Sequence, residues 1–203
     1  MPEFETPILA LLLVAALAYL IGSIPFGIVV SRLFRLPDPR SIGSGNIGAT
    51  NVLRSGSKFA ALLTVLLDGA KGLVAVLIAK AFFAFDAAQV AGLFAFIGHI
   101  FPVWLSFKGG KGVATLLGTL IGFHGLLGLI ALGSWLLTYF VFRISSLSAL
   151  MSALVTPVVA LLIGFGNAFV VLVLMSALLI WRHKENIKRL QNGTEPMVDW
   201  GKK

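Results

Sequence analysis

The sequence predicts an all-α integral membrane protein with about seven transmembrane helices. The chain has 203 residues, of which 58% are hydrophobic and only 12% are charged, whereas about a quarter of a soluble domain is charged. Its mean hydropathy is +0.99, and apolar runs long enough to cross a ~30 Å hydrocarbon core recur along it. So few charged residues could not cover a water-facing surface, which excludes an ordinary soluble protein.

The numbers of cysteine and charged residues limit which kinds of site and partner this protein can have. The sequence contains no cysteine, which excludes disulfides and thiolate metal sites. Its three histidines are not placed at a metal-ligand spacing such as His-x3-His, and we predict neither a metal nor a cofactor. The net charge of +8 could indicate nucleic acid, but basic residues of a membrane protein collect on its cytoplasmic side. We therefore predict the lipid bilayer as a partner and no nucleic acid.

The first predicted span covers residues 8–30. Residues 1–7 contain two glutamates and no basic residue, so we expect no secretory signal there. Pro25 lies in the second half of the span and predicts a kink. Small residues beside it, including Gly22, favour close contact with another helix.

The second predicted span, residues 59–85, contains two ionisable residues. Asp68 and Lys71 are three positions apart and therefore lie on one helix face. Charged side chains inside a span are costly, so each needs a partner. The sequence leaves open whether the pair is structural or assists a site. Asp86 marks a predicted short outer turn after this span.

Five further spans are predicted at residues 90–105, 113–123, 126–142, 149–165 and 168–181. The segment from 113 to 142 contains several glycines, and we interpret it as two helices that turn near His124. The helix at 113–123 is too short for an ideal crossing, so we expect part of it to be buried in protein. The last helix is expected to extend past the membrane surface.

The distribution of basic residues predicts the orientation. Seven spans place the termini on opposite sides of the membrane. With the N-terminus outside, the cytoplasmic loops and tail contain all of the 16 Lys and Arg residues except Lys71 and Lys80. The positive-inside rule therefore predicts an outer N-terminus and a cytoplasmic C-terminus. Merging the two helices near His124 would give six spans, but the charge distribution argues against it. We predict a single membrane-embedded domain, residues 1–203, with three polar segments on the cytoplasmic side.

The first polar segment comprises residues 43–54, GSGNIGATNVLR. Its Gly-x-Gly-x-x-Gly spacing matches a dinucleotide fingerprint, but no strand precedes it and no βαβ unit is possible here. Its glycines allow the backbone to approach a ligand with exposed N–H groups. Arg54 offers a forked donor suited to phosphate or carboxylate. The alternative is a polar loop that only caps two helices.

The second polar segment comprises residues 108–115, KGGKGVAT. It is not a Walker A loop, because it lacks the Gly-x4-Gly-Lys-Ser/Thr pattern. Consecutive glycines, two lysines and the start of a helix are nevertheless the components of an anion site. A loop that is merely positive would not need three glycines, so the pattern favours phosphate binding.

The third polar segment comprises residues 182–190, RHKENIKRL, followed by the turn at 193–196. His183 and Asn186 are three positions apart and point the same way on a helix. Glu195 is the only acidic residue in the following turn and is a candidate for orienting His183 or an arginine. The alternative is a basic surface helix that contacts anionic lipid head groups.

Together the three segments closely resemble the three motifs of the bacterial acyl-phosphate:glycerol-3-phosphate acyltransferases. The resemblance covers essentially the whole chain. It implies a multi-pass enzyme of the bacterial cytoplasmic (inner) membrane whose active site faces the cytoplasm. The implied reaction transfers a fatty acyl group from acyl phosphate to the 1-hydroxyl of sn-glycerol 3-phosphate and gives lysophosphatidic acid and phosphate. The soluble enzyme that makes acyl phosphate is an implied partner. The His-x4-Asp motif of other glycerol-phosphate acyltransferases is absent, in agreement with this resemblance.

The resemblance also implies roles for individual residues. The residues implied to hold glycerol 3-phosphate and to line the reacting centre are Ser44, Arg54, Lys111, His183 and Asn186. The residues implied to bind substrate around them are Asn46, Asn51, Lys108, Gly109, Gly110, Gly112, Thr115 and Glu195. Of these, Lys108, the adjacent glycines and Thr115 are implied to hold the acyl phosphate. Which lysine serves which phosphate stays open.

Acyl phosphate is already activated, so the protein mainly has to position the reactants and stabilise developing charge. We therefore expect direct attack by the substrate hydroxyl without a covalent acyl-enzyme on Ser44. Its proton would go to His183 or to an oxygen of the acyl phosphate. The alternative function is a membrane transporter of an organic phosphate. A transporter would place its site near the midplane, whereas the three polar segments are all expected on one face.

Overall fold

The computed structural model describes residues 5–198, and within that range it contains helices, turns and loops but no strand. The all-α prediction is therefore confirmed. The chain forms two compact units, of which the first ends at Gly128 and the second begins at Leu129. The prediction of a single domain stays a prediction.

From residue 5 onward, the first unit contains six helices and the start of a seventh. These six are α1 (Ile8–Gly22), α2 (Phe26–Leu33), α3 (Ala49–Arg54), α4 (Lys58–Phe82), α5 (Phe85–Ile100) and α6 (Val113–Phe123). Nearly all of α7 (Gly125–Phe142) belongs to the second unit, together with α8 (Ser145–Leu162), α9 (Phe169–Arg182) and α10 (Lys184–Gln191). Short 3-10 turns precede α3, follow α5 and precede α9.

The kink predicted at Pro25 is a full break in the structure, and it separates α1 from α2. Proline has no backbone N–H and its ring clashes with the preceding turn of a helix, so α1 ends at Gly22 and α2 starts at Phe26. The two helices together form one candidate span, Ile8–Leu33. The close contact predicted for Gly22 is also present, because a Cβ there would lie 2.0 Å from the Ala95 carbonyl oxygen of α5.

Each of the seven predicted apolar segments is mostly helical in the structure. Within residues 5–198, the helices long and apolar enough to cross a membrane are Ile8–Leu33, Lys58–Phe82, Phe85–Leu105, Gly125–Phe142 and Ser145–Leu162. A bent pair, Gly166–Arg182 with Lys184–Gln191, would give a sixth. The count of seven crossings and the orientation of the termini stay predictions.

Helix α6 is the predicted span that is absent from these candidates, because it is a shorter apolar helix. Its 11 residues extend only about 16 Å, roughly half of the hydrocarbon core. Seven of them are buried, as expected for a helix covered by protein. Gly118 packs so closely on α4 that a Cβ would lie 1.9 Å from the Gly69 carbonyl oxygen.

Asp86 differs from its expected position. The sequence places it in a short outer turn, but it lies in the first turn of α5. Its carboxylate accepts hydrogen bonds from the Thr6 backbone N–H at 2.8 Å and the Thr6 hydroxyl at 2.6 Å. An acidic side chain is favourable at the N-terminal end of a helix, so α5 starts five residues earlier than predicted.

Candidate active site

The first polar segment rests directly on α2. A Cβ at Gly27 of α2 would lie 1.7 Å from the Ile47 carbonyl oxygen, so only glycine permits this contact. Gly43 and Gly45 have φ angles of +50° and +68°, which glycine adopts without a steric penalty. Ile47 itself is buried. The glycine spacing that mimics a dinucleotide fingerprint is therefore explained by backbone turns and by packing.

Asn51 holds this segment together from the inside. Its side chain is 2% exposed. Its amide Nδ2 donates to the carbonyl oxygens of Pro39, Ile42 at 3.0 Å and Asn46 at 2.9 Å. The structure therefore gives Asn51 a role within the loop, and direct contact with substrate stays a prediction.

Ser44 and Arg54 are brought together by the same Asn51 oxygen. Asn51 Oδ1 accepts the backbone N–H of Ser44 at 3.2 Å and Nη1 of Arg54 at 3.4 Å. Both of these residues are exposed. The backbone of Ser44 and the guanidinium of Arg54 are thus anchored at one point in two exposed residues. This arrangement suits an incoming phosphate.

Asn46 completes the loop. Its side-chain oxygen accepts the Gly48 backbone N–H at 3.2 Å, and its backbone oxygen accepts from Asn51. Such a bond from an Asn side chain to the backbone two residues on forms a turn. The binding role predicted for Asn46 stays a prediction, with its side-chain oxygen engaged in the loop.

The second polar segment packs against the end of α5. The backbone N–H groups of Gly109 and Gly110 donate to the carbonyl oxygens of Ile100 and His99, at 3.0 and 3.1 Å. A Cβ at Gly110 would lie 2.1 Å from His99 Nε2. These two N–H groups therefore point into the protein, and the glycines are required by packing. In this conformation an anion would be bound by other donors of the segment.

The remaining polar residues of the second segment differ in exposure. Lys108 is exposed and Lys111 is half-buried. Gly112, with a φ of +89°, is the residue before the first turn of α6 and lies against the Phe96 ring. Thr115 is fully buried, and its hydroxyl donates to the Asp68 carbonyl oxygen at 2.9 Å. Of this set, the two lysines and the N-terminal end of α6 have the character of an anion site.

Helix α4 links the first and second segments. Helix α3, at the end of the first segment, and helix α6, at the second, both pack against it. Ala61 of α4 belongs to a buried cluster with Val52 of α3, and Asp68 of α4 contacts Thr115 of α6. The two contact points are seven positions apart, which is about 10 Å along a helix axis.

The third polar segment contains a sharp bend. Helices α9 and α10 meet at His183 at an angle of 61°. His183 and Asn186 are 2% and 5% exposed, while Lys184 and Glu185 between them are exposed. His183 lies between the two helices and not within one of them, so the common direction of His183 and Asn186 stays a prediction. His183 Nδ1 lies 2.8 Å from the Leu179 carbonyl oxygen. Because a carbonyl only accepts, Nδ1 has the proton and neutral His183 has its lone pair on Nε2.

Glu195 collects three donors around one carboxylate. It accepts from the Ser146 hydroxyl at 2.6 Å, from Asn186 Nδ2 at 2.5 Å and from Arg189 Nε at 2.7 Å. Burial alone would raise the pKa of Glu195, but these hydrogen bonds and the Arg189 charge together lower it. The sequence predicts that Glu195 orients either His183 or an arginine, and the structure contains its pair with Arg189.

Sequence reasoning missed the contributions of Ser146 and Arg189. Ser146 is the second residue of α8 and belongs to no sequence motif, and the sequence does not single out Arg189 among the basic residues of the third segment. The tail after α10 is fixed near them, since the Val198 N–H donates to the Arg143 carbonyl oxygen at 2.8 Å. Within residues 5–198, no three His, Cys, Asp or Glu side chains are grouped as metal ligands.

The first and second polar segments belong to the first unit and the third belongs to the second unit. That all three segments line one site stays a prediction.

Comparison with known proteins places the chain in a family. Residues 12–193 match the family model described as glycerol-3-phosphate acyltransferase. A glycerol-3-phosphate acyltransferase of Cereibacter sphaeroides (strain ATCC 17025 / ATH 2.4.3) is 56% identical over 203 residues, which cover 100% of this chain and 96% of the relative. One of Jannaschia sp. (strain CCS1) is 53% identical over 197 residues, which cover 97% of each chain.

Two solved structures match the fold. They are crystal structures of PlsY (YgiH), an integral membrane glycerol 3-phosphate acyltransferase, in a glycerol 3-phosphate form and a lysophosphatidic acid form. The first has a TM-score of 0.88 and 37% identity, and it covers 94% of this chain and 96% of that chain. The second has a TM-score of 0.85 and 36% identity, with coverage of 93% and 95%. With its apolar helices and polar segments, the chain belongs to the family of integral membrane glycerol-3-phosphate acyltransferases.

Proposed function

We propose that the protein transfers a fatty acyl group from acyl phosphate to the 1-hydroxyl of sn-glycerol 3-phosphate, forming lysophosphatidic acid and inorganic phosphate. The supporting observation is that nearly the whole chain matches proteins named glycerol-3-phosphate acyltransferase. The solved relatives are described with glycerol 3-phosphate and with lysophosphatidic acid, the acceptor and product of this reaction. The donor rests on the resemblance of the three polar segments to motifs of acyl-phosphate enzymes.

The first segment is assigned to glycerol 3-phosphate. Asn51 anchors one guanidinium nitrogen of Arg54 and the backbone of Ser44. Because these groups are already held in place, ligand binding loses less conformational entropy. The Arg54 fork is suited to two phosphate oxygens. Lys111 and Lys108 supply the further positive charge that two phosphate-bearing substrates need.

The chemical step is a direct acyl transfer. The substrate 1-hydroxyl oxygen bonds to the acyl carbon, the bond from that carbon to the phosphate oxygen breaks, and phosphate leaves. The hydroxyl proton goes to Nε2 of His183 or to a phosphate oxygen of the donor. The contact of Nδ1 with Leu179 leaves the lone pair of neutral His183 on Nε2, as a proton acceptor requires. No covalent bond to Ser44 is needed.

The location proposed for this reaction is the cytoplasmic face of the bacterial inner membrane, with an outer N-terminus and a cytoplasmic C-terminus. The soluble enzyme that makes acyl phosphate is the proposed partner, because acyl phosphate must be delivered from that side. The charge distribution supports this orientation, since nearly all basic residues fall on the predicted cytoplasmic side.

The decisive experiment is an assay of purified protein in detergent or liposomes with palmitoyl phosphate and glycerol 3-phosphate. We expect lysophosphatidate and phosphate, and no product with palmitoyl-CoA or acylated acyl carrier protein. Product from those donors alone would overturn the proposed donor. Movement of glycerol phosphate into proteoliposomes without lysophosphatidate would favour the transporter alternative. In single turnover with labelled donor, acyl label trapped on Ser44 would contradict direct attack.

A further inference from the structure

A buried ionic cluster lies between the two polar segments of the first unit. Asp68 and Lys71 of α4 are 3% and 4% exposed, and His99 of α5 is 5% exposed. Lys71 Nζ lies 2.8 Å from Asp68 Oδ1, and His99 Nδ1 lies 3.5 Å from the same oxygen. Burying such groups is costly, and an apolar replacement is often as stable. Fold stability alone therefore gives little reason for this cluster.

At one end of the cluster, Lys71 contacts the backbone just before α2, the helix on which the first segment rests. Lys71 Nζ donates to the Ile24 carbonyl oxygen at 3.0 Å, in the break between α1 and α2. The same oxygen also accepts the Phe26 N–H at 3.1 Å, so the lysine is a second donor to the backbone of this break. The helix that starts after this break contains Gly27, which lies in close contact with Ile47 of the first segment. Lys71 thereby fixes the helix on which the first segment rests.

The other end of the cluster reaches the second segment. The His99 carbonyl oxygen accepts the Gly110 N–H at 3.1 Å, and the His99 ring fills the space where a Gly110 side chain would be. Asp68 Oδ1 lies 3.5 Å from Nδ1 of this ring, and the Asp68 backbone oxygen accepts the Thr115 hydroxyl. A shift of Asp68 or His99 would therefore displace the second segment at Gly110 and at Thr115.

We propose that Asp68, Lys71 and His99 form a positioning network that holds the first and second polar segments in fixed positions relative to one another. This inference rests on the proposed function, because those segments are the ones assigned to the two substrates. The three residues act through Ile24, Gly110 and Thr115 and have no assigned contact with substrate. Charge-assisted bonds in a low-dielectric interior are strong and directional, which suits them to this task.

The test compares two single variants with a matched control. Asp68→Asn keeps the shape but removes the charge, and His99→Phe keeps a ring beneath Gly110 but removes the 3.5 Å contact of Nδ1 with Asp68. The control is Lys80→Gln, which lies on α4 as Asp68 does. Lys80 donates to the carbonyl oxygens of Gly122 and Phe123, away from both segments. For each protein, kcat, KM for both substrates and the unfolding temperature in detergent are measured.

We expect kcat/KM to fall about 10- to 100-fold in both cluster variants, since a displacement of about 1 Å has that effect. Lys80→Gln should stay within about twofold of wild type. The network is overturned if the cluster variants are folded and also lie within twofold, or if Lys80→Gln loses as much activity as they do.

A double variant distinguishes positioning from ordinary ion-pair stability. Asp68→Asn with Lys71→Gln leaves no unpaired buried charge, so the unfolding temperature should recover relative to Asp68→Asn alone. A positioning network predicts that kcat/KM stays at least tenfold below wild type in this double variant. Recovery of both stability and activity would overturn the proposal, because the pair would then only be stabilising.

Amide hydrogen exchange gives a readout that does not need the proposed reaction. The N–H groups of Gly109 and Gly110 should exchange at least tenfold faster in His99→Phe and Asp68→Asn than in Lys80→Gln. Equal exchange would overturn the network. Wild-type protein that forms no lysophosphatidate would refute the proposed function, while the exchange comparison would still decide on the network.

Discussion

The side-chain amide of Asn186 donates to the Glu195 carboxylate, with 2.5 Å between Nδ2 and Oε1. The same carboxylate pairs with Arg189 and accepts from the Ser146 hydroxyl. One acidic residue therefore joins the start of α8, helix α10 and the C-terminal tail of the second unit. The orientation of Asn186, an implied catalytic residue, depends on it.

Glu195→Gln should destabilise the protein by about 1–3 kcal/mol, because the amide cannot accept from all three donors and leaves one of them unsatisfied. It should also lower kcat, since Asn186 loses its fixed orientation. Thermal unfolding in detergent and initial rates measure the two effects. Glu185→Gln is the control, because its pair with Lys188 is 3.8 Å long and exposed and contributes about 0.5 kcal/mol or less. Equal losses in the two variants would contradict the role of Glu195.

The pH dependence of stability should change in the same variant. The pKa of Glu195 is lowered in the folded protein: burial opposes ionisation, but the three donors and the Arg189 charge outweigh it. Its stabilising effect is therefore complete above the unfolded value of about 4.3 and is lost as pH falls through the lower folded value. The difference in unfolding temperature between wild type and Glu195→Gln should shrink below about pH 5. A difference that grows on acidification would contradict this sign.

Asn51→Asp should reduce kcat/KM by at least about tenfold. The substitution replaces the donor Nδ2 with an oxygen that faces the carbonyl oxygens of Pro39, Ile42 and Asn46, and an unsatisfied or repelled buried group costs about 1–3 kcal/mol. The loop that positions Ser44 and Arg54 would then shift. Steady-state kinetics measure the loss. The exposed Asn167 provides the control Asn167→Asp, and a similar loss there would remove the argument for Asn51.

Gly110→Ala should destabilise the second polar segment. The added methyl would lie 2.1 Å from His99 Nε2, and such overpacking typically costs about 1–3 kcal/mol. Gly133→Ala in α7 is the matched control, since nothing lies within 4 Å of the position that its added methyl would take and alanine favours a helix by about 0.5–1 kcal/mol over glycine. Thermal unfolding of both variants checks the prediction. Equal stability of Gly110→Ala and wild type would show that the loop moves freely.

The positions of the helices could be predicted from hydropathy, because hydropathy depends only on the residues of each segment. The cost of exposing backbone and charge to lipid acts on each segment separately, so the apolar runs and a bend at Pro25 are predictable from the sequence, although the structure has a full break there. The close contact at Gly22 was also predictable, because small residues in a span favour helix contact. The position predicted for Asp86 was wrong, because its hydrogen bonds to Thr6 join residues that are 80 positions apart in the sequence.

The interior contacts of the polar segments were not predictable in the same way. Asn51 was predicted to bind substrate, but its amide is engaged by three carbonyl oxygens of its own loop. Gly109 and Gly110 were interpreted as parts of an anion site, yet their N–H groups are bonded to α5. Polar residue types predict that hydrogen bonds form, but only the path of the chain decides whether their partner is protein or ligand.

Arg54→Lys should raise KM for glycerol 3-phosphate about tenfold, with a smaller change in kcat. A lysine keeps the charge but loses the planar fork that binds two phosphate oxygens, and one lost charge-assisted hydrogen bond of about 1.4 kcal/mol corresponds to tenfold in affinity. Initial rates at varied glycerol 3-phosphate measure the change. The control is Arg40→Lys, because Arg40 is paired with Asp38 at 2.7 Å on the exposed surface, and its KM should stay within about twofold of wild type. An unchanged KM in Arg54→Lys would count against Arg54 as the phosphate clamp, and the lysines of the second segment would then be the remaining cations assigned to that phosphate.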